Sequence, residues 1–174
     1  GRPRAVILAA YLPLTLCDYP GKVAAMVFTQ GCNFRCPWCH NPHLIPLKGT
    51  TPPLDPEVVV QEVAARRRRG IVEAIVVSGG EPTLHPDLAA IIRAAKSLRY
   101  AVTVDSNGYL FHDLLDRVTP QELDYLSFSL DGPDASVNDP IRGEGVFALC
   151  TANIRRAVAA GVNASCIYTV SGLN

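Results

Sequence analysis

Three cysteines lie close together in the chain, and their spacing is the strongest chemical signal in the sequence. Cys32, Cys36 and Cys39 form a Cys-x3-Cys-x2-Cys pattern between Gly31 and His40, with no fourth cysteine in that segment. Cysteine thiolates hold the irons of 4Fe-4S clusters. Three thiolates leave one iron of the cube free to bind another ligand. The spacing therefore predicts a cluster that takes part in a reaction rather than one that only transfers electrons.

Three other interpretations of this segment stay open. A structural zinc ion accepts three thiolates and one imidazole, here from His40, although zinc ligands usually come as two separated pairs. A disulfide framework is typical of short exported chains, and a cluster used only for electron transfer normally has four cysteine ligands. Cys17, Cys150 and Cys166 lie far from the segment in apolar surroundings, which predicts small buried side chains.

The composition narrows the class of protein. The chain has 174 residues, with 16 Lys plus Arg and 16 Asp plus Glu, so its formal net charge is zero. A chain of this length fits one domain, 1–174, and it has no overall charge that would attract nucleic acid. No apolar run reaches the roughly 20 residues of a membrane-spanning helix. We therefore expect a protein that binds neither nucleic acid nor a membrane. Because clustered thiolates persist in reducing compartments, we also expect it to be cytoplasmic.

Apolar runs of strand length alternate with stretches of helical character, which predicts an α/β fold with parallel strands and crossover helices. The predicted strands are 23–29, 74–78, 100–105, 125–130 and 163–170, and the predicted helices are 55–69, 87–98 and 146–160, with a long loop over 31–53. A closed barrel of eight such units needs about 250 residues. We therefore expect a partial, open (β/α) barrel that lacks its C-terminal units.

Polar residues follow the predicted strands at the point where each strand ends. The cysteine loop follows the first strand, Gly79-Gly80-Glu81 the second, Asp105-Ser106 the third and Asp131 the fourth. Ligands bind at the C-terminal edge of parallel strands in this class of fold. These segments are therefore expected to meet at one site.

The two motifs together carry a family resemblance. The cysteine spacing, the aromatic Trp38 before Cys39, and Gly79-Gly80-Glu81-Pro82 after the second strand resemble the radical S-adenosylmethionine (SAM) superfamily. The flanking segments 18–25, 28–37 and 39–42 resemble the activating proteins of glycyl-radical enzymes, especially those of anaerobic ribonucleotide reductase.

The resemblance implies both the cofactors and their ligands. Cys32, Cys36 and Cys39 would hold a 4Fe-4S cluster whose open iron binds S-adenosylmethionine, which is then cleaved reductively to a 5'-deoxyadenosyl radical. Further cofactor contacts would come from Gly79, Gly80 and Glu81 at the amino group and from Trp38 and His40 at the adenine.

Two acidic positions are expected beside the cofactor carboxylate. By resemblance, Asp105, Ser106 and Asp131 would offer oxygens to a monovalent cation, since hard cations prefer oxygen ligands. The competing interpretation is structural, because Asp and Asn are common turn formers at strand ends.

The C-terminal half departs from the activating proteins. Ser129-Leu130-Asp131-Gly132-Pro133 followed by Arg142-Gly143 is more similar to radical SAM enzymes that modify peptides or build cofactors. In that version, Ser129, Arg142 and Asn174 would contact the cofactor.

These observations give three hypotheses for function. The first is an activase that installs a radical on a glycyl-radical enzyme, with a flavodoxin- or ferredoxin-type protein as electron donor. The second is a radical SAM enzyme that modifies a peptide or builds a cofactor. The third, from a different class, is a zinc or iron-sulfur scaffold without turnover.

Overall fold

One mixed sheet forms the centre of the molecule. The computed structural model describes residues 8–48, 52–109 and 113–174. The sheet has six strands in the order β1 to β6, with β1 antiparallel to β2 and every later neighbour parallel. Its strands are β1 Leu8–Thr15, β2 Ala24–Thr29, β3 Ala74–Gly79, β4 Ala101–Ser106, β5 Tyr125–Ser129 and β6 Ala164–Ile167.

Helices connect the parallel strands. They are α1 Pro56–Arg68, α2 Leu88–Ser97, α3 Leu114–Arg117, α4 Ala135–Arg142 and α5 Val146–Ala159. In the part of the chain that the structure describes, no ladder joins β6 to β1, so the sheet is open. The predicted α/β fold with parallel strands in an open sheet is confirmed, with the antiparallel β1 as an additional strand.

Side chains along each strand alternate between the two faces of the sheet, and each face carries its own hydrophobic core. The larger core lies between the sheet and the helices and includes Val77, Val104 and Phe128 from the strands with Leu88 and Ile92 from α2. A smaller core lies on the opposite face of the sheet and consists of Tyr19, Ala24, Met26, Ala74 and Val76. Since successive residues of a strand point to opposite faces, one sheet supports both layers.

Local sequence sets where the helices begin and end. The α1 helix begins with Pro56 in its first turn, and the Asp55 side chain accepts a hydrogen bond from the Glu57 N–H at 2.9 Å. The α5 helix ends just before Gly161, which has φ +85°.

Several elements differ from the prediction. The sequence patterns predicted none of β1, α3 and α4, and the last strand was predicted too long, because β6 covers only Ala164–Ile167. In β1, Pro13 lies in a segment where the pairing with β2 shifts register. Of the predicted loop 31–53, residues 49–51 lie outside the described residues.

The predicted burial of the isolated cysteines was partly wrong. Cys150 is fully buried in α5, but Cys17 and Cys166 are exposed. Cys166 lies on β6, the last strand of the sheet, where no further strand covers it in the described structure.

No helix among the described residues is both long and apolar enough to span a membrane.

Candidate active site

The C-terminal ends of the parallel strands border a cavity of about 310 Å³. The cavity receives side chains from the cysteine loop and from the ends of β3, β4, β5 and β6. The predicted site residues that line it are Cys32, Cys36, Cys39, Trp38, His40, Gly79, Gly80, Asp105, Ser106, Ser129 and Arg142. The structure thus brings most of the predicted site residues to one place.

Backbone hydrogen bonds hold both ends of the cysteine loop. The Gly31 and Cys32 N–H groups donate to the carbonyls of Leu44 and Ile45 at 2.8 and 2.9 Å. The Glu81 N–H donates to the Gly31 carbonyl at 2.7 Å. The loop therefore returns onto itself and is attached to the turn that follows β3.

The three thiols share one partly buried environment. Burial raises the pKa of Cys32 and of Cys36, and for Cys36 the Arg142 charge opposes that rise. Among the described residues, no group of three or more His, Cys, Asp or Glu side chains is arranged to hold a single metal ion. A 4Fe-4S cluster takes each thiolate on a different iron, so its cysteines need not converge on one point. The donor set and the cavity fit such a cluster.

Gly79 and Gly80 lie directly against the start of the cysteine loop. A Cβ on Gly80 would be 2.1 Å from the Gly31 carbonyl oxygen, and one on Gly79 would be 2.5 Å from the Thr29 backbone nitrogen. Gly79 also has φ +113°, a conformation that other residues rarely adopt. Only glycine fits at these two positions, and its bare backbone faces the cavity.

The Glu81 carboxylate has different partners from those predicted. It is fully buried and does not line the cavity. Its Oε1 accepts hydrogen bonds from the Thr83 N–H, the Thr83 hydroxyl and the Ser106 hydroxyl at 3.0, 2.6 and 2.9 Å. Its Oε2 accepts from the Asn107 N–H at 2.6 Å. Burial raises the pKa of this carboxyl group. Cofactor contact by Glu81 stays a prediction, and the contacts observed here join two turns of the protein.

Asp105 lies inside the cavity at the end of β4. Burial raises the pKa of Asp105 from 3.8 to about 6, against the effect of hydrogen bonds from the Ser78 and Ser127 side chains. The nearby Asp18 raises it further. Asp105 is thus a carboxyl group that changes charge close to neutral pH within the site.

Both carboxylate oxygens of Asp131 accept hydrogen bonds from other residues of the chain. Its Oδ2 accepts from Arg142 Nε at 2.8 Å and its Oδ1 from the Thr169 N–H at 2.9 Å. The Asp131 side chain is 0% exposed and that of Arg142 is 9% exposed. The predicted monovalent cation stays a prediction, since both carboxylate oxygens of Asp131 already have partners here.

Asn174 lies next to Asp131 rather than at the cavity. Its Nδ2 donates to the carbonyls of Asp131 and Thr169, both at 2.8 Å, and its Oδ1 accepts from the Ser171 N–H at 2.7 Å. Asn174 does not line the cavity. A cofactor contact by Asn174 stays a prediction.

Sequence reasoning missed the role of two asparagines. Asn33 lies between the first two cysteines, and its Oδ1 accepts a hydrogen bond from Asn107 Nδ2 at 2.8 Å. Asn107 directly follows Ser106, the last residue of β4. Its pairing with a residue 74 positions away has no signal in a single sequence.

The family follows from comparison with known proteins. The model of the radical SAM superfamily matches residues 26–174, and the chain belongs to that superfamily. Its members use a 4Fe-4S cluster and S-adenosylmethionine, and the three thiols and the glycine turn described above fit these groups.

Relatives within the superfamily differ in their assigned functions. A protein of Methanocaldococcus jannaschii, provisionally named a glycyl-radical enzyme activating enzyme, is 32% identical over 71% of this chain and 50% of its own. A protein of Saccharolobus solfataricus, provisionally named a GTP 3',8-cyclase, is 30% identical over 79% of this chain and 44% of its own. The chain spans about half the length of these relatives or less.

A solved structure shares the fold. The structure of anSMEcpe with bound AdoMet superimposes with a TM-score of 0.59 at 18% identity, over 79% of this chain and 40% of that one.

Proposed function

We propose that this chain is the core domain of a radical SAM enzyme that holds a 4Fe-4S cluster on Cys32, Cys36 and Cys39. One observation carries the proposal: the three thiols and the Gly79-Gly80 turn line the same cavity at the ends of parallel strands. The bound cluster would supply one electron to S-adenosylmethionine, which splits into methionine and a 5'-deoxyadenosyl radical, and that radical takes a hydrogen atom from the substrate.

The residues of the chain would bind and orient the cofactor. Gly79 and Gly80 present backbone without side chains to the cofactor's amino group. Trp38 and His40 lie on the cysteine loop, where an adenine ring would contact them. Ser129 and the largely buried Arg142 also line the cavity. They would bind the cofactor carboxylate through a hydroxyl and a guanidinium group.

The substrate we propose is the glycine of a glycyl-radical enzyme, such as anaerobic ribonucleotide reductase. The similarity to the M. jannaschii protein provisionally named a glycyl-radical enzyme activating enzyme supports this choice. The amino-acid sequence of the segments around the cysteine loop, 18–25, 28–37 and 39–42, supports it as well. A flavodoxin- or ferredoxin-type protein would supply the electron. A cluster with an open iron also implies a reducing compartment, and we propose the cytoplasm.

A second candidate substrate is a small molecule or peptide. The observation that favours it is Arg142, which lines the cavity and is held by Asp131 in the C-terminal half, the half that resembles peptide- and cofactor-modifying enzymes. The similarity to the GTP 3',8-cyclase of S. solfataricus agrees with it.

Anaerobic reconstitution tests the cofactor assignment. The wild-type chain should bind about four irons and four sulfides and turn brown. With a strong reductant it should convert S-adenosylmethionine to 5'-deoxyadenosine. Cys36→Ala should do neither, whereas the matched variant Cys166→Ala should behave as wild type. A single zinc ion per chain, with no iron uptake, would support the scaffold hypothesis instead.

A second experiment separates the two substrates. The reconstituted chain is mixed with a co-encoded glycyl-radical enzyme, reductant and S-adenosylmethionine, and EPR spectra are recorded. A glycyl doublet supports the activase. Its absence, together with hydrogen transfer from a peptide or small molecule to 5'-deoxyadenosine, supports the second candidate.

A further inference from the structure

The cysteine loop has a contact with the sheet that lies outside the ligand motif itself. Asn33 is exposed and lies between Cys32 and Cys36, and its Oδ1 accepts from Asn107 Nδ2 at 2.8 Å. Next to it, the ring of Phe34 packs edge-on against the ring of Tyr109 with centroids 5.5 Å apart. Both contacts join the first part of the loop to the turn after β4.

Asn107 is held in a fixed orientation. It is buried, its backbone N–H donates to Glu81 Oε2 at 2.6 Å, and its Oδ1 accepts from the Tyr109 N–H at 3.0 Å. An amide oxygen that accepts from a backbone N–H leaves the amide nitrogen as the donor on the other side. The Nδ2 group therefore points at Asn33 because the rest of the side chain is already engaged.

Glu81 in turn accepts hydrogen bonds from four donor groups. Two of them belong to Ser106, which ends β4, and to Asn107, which begins the turn after it. The Ser106 hydroxyl also accepts from the Gly108 N–H at 3.0 Å. A buried carboxylate with a full set of donors is costly to displace, so it ties the β3 and β4 turns together. The path from Glu81 through Asn107 to Asn33 is continuous.

We propose that Asn107 and Glu81 are positioning residues that fix the cysteine loop against the sheet through Asn33, so that the three thiols stay at the spacing a cluster needs. The inference rests on the proposed function in one respect, that the loop holds a cluster. It assigns to the buried carboxylate of the glycine-rich motif a role in the loop, in addition to any contact with the cofactor.

Cluster retention is one test. The full chain is reconstituted as wild type, Asn33→Leu, Asn107→Leu and the double variant, and iron loss to a chelator is followed. Each single variant should lose iron roughly fivefold faster, the factor that corresponds to one net hydrogen bond of about 1 kcal/mol. Because the two side chains share one contact, the double variant should lose iron little faster than either single variant.

Two controls make the result specific. Asn33→Asp keeps an acceptor for Asn107 Nδ2 and should retain iron at close to the wild-type rate. Asn163→Leu removes an asparagine that donates to the Asp124 carbonyl at 3.1 Å, away from the loop, and should also behave as wild type. Since Asn33 is exposed, its variants keep the test valid even if the buried Asn107→Leu fails to fold.

Backbone amide exchange in the cluster-free chain tests the contact independently of the cofactor. The Gly31 and Cys32 amides, which donate to the Leu44 and Ile45 carbonyls, should exchange several-fold faster in Asn33→Leu than in wild type or Asn163→Leu. Unchanged exchange and unchanged iron loss in Asn33→Leu would overturn the inference. A wild-type chain that takes up no iron would instead contradict the proposed function. The exchange data would still decide whether the contact between Asn33 and Asn107 holds the cysteine loop.

Discussion

At the scale of single residues, the site depends on two positions where a side chain is absent. Gly79 and Gly80 pass so close to Thr29 and Gly31 that a Cβ on either would overlap backbone atoms. The same approach lets the Gly80 and Glu81 N–H groups donate to the Thr29 and Gly31 carbonyls at 2.9 and 2.7 Å. The glycines are therefore required by the packing of the cysteine loop, whether or not a cofactor is bound.

Gly80→Ala tests this requirement. The new methyl group would lie 2.1 Å from the Gly31 oxygen, so the loop must move. We expect a loss of about 3 kcal/mol in the free energy of unfolding, measured by urea denaturation of the cluster-free chain. Gly172→Ala is the matched control, because no heavy atom beyond its two chain neighbours lies within 4 Å of its Cβ position. Equal stability of the two variants would contradict the argument.

Asp105 should make stability depend on pH. Its folded-state pKa of about 6 lies above the ordinary value of 3.8, mainly because the group is buried. The native state then binds this proton more tightly than the unfolded chain does. Its contribution to stability is therefore complete below pH 4 and is lost as the pH rises through 6.

Asp105→Asn should remove that dependence. The variant should be more stable than wild type at pH 8, and the difference should shrink as the pH falls toward 4, as measured by denaturation of the cluster-free chain at several pH values. Asp116→Asn, at an exposed position, is the control and should follow the wild-type profile. A stability difference between Asp105→Asn and wild type that stays constant with pH would rule out titration of this group.

At the scale of elements, the ends of β5 and β6 and the helix α4 are joined by one buried carboxylate. Asp131 follows β5, accepts from Arg142 at the end of α4, and accepts from the Thr169 N–H beyond β6. Its own N–H donates to Asn138 Oδ1 at 2.9 Å. A polar α4 helix with Pro140 inside it is thereby held against the sheet, and Arg142 is held at the cavity wall.

The costs of removing the two charges of this buried pair should not be additive. Asp131→Asn leaves the buried Arg142 charge unpaired and should lower the free energy of unfolding by about 3 kcal/mol. Asp131→Asn combined with Arg142→Met should cost less than the sum of the two single variants, measured by the same denaturation series. Glu62→Gln, in the exposed pair with Arg66, should change stability little. Strict additivity of the two buried substitutions would contradict a direct interaction.

The elements that sequence reasoning found and missed differ in physical character. Strands such as Ala74–Gly79 are short apolar runs buried on both faces, so their composition alone marks them. The α4 helix has no such run. Its N-cap is Asp134, whose Oδ1 accepts from the Ser136 and Val137 N–H groups at 2.9 and 3.2 Å, and hydrogen bonds around Asp131 hold the helix in place.

The same difference applies to the site. The cysteines and glycines could be predicted because their chemistry is fixed by residue type and spacing. The contact between Asn33 and Asn107 could not, because it depends on which turns the sheet brings together. Likewise, nothing in the sequence indicates that the Glu81 carboxylate points into the protein rather than into the cavity.

At the scale of the whole molecule, the fold and the candidate site occupy different layers. The larger core lies between the sheet and the helices and excludes the cysteine loop, whose thiols are only partly buried. Ile92 in α2 is 0% exposed within that core. The stability of the chain and its capacity to hold a cluster should therefore respond to different substitutions.

A crossed pair of variants tests this separation. Ile92→Ala removes buried methyl and methylene groups and should lower the free energy of unfolding by about 3 kcal/mol, while the folded fraction still binds the wild-type amount of iron. Cys36→Ala should do the opposite, with loss of iron and of the brown colour but near-normal stability of the cluster-free chain. Ile71→Ala, at a residue that is 42% exposed, is the control for the loss of an isoleucine. If Cys36→Ala unfolded the chain, the loop would be part of the structural core, and a metal bound there would have a structural role.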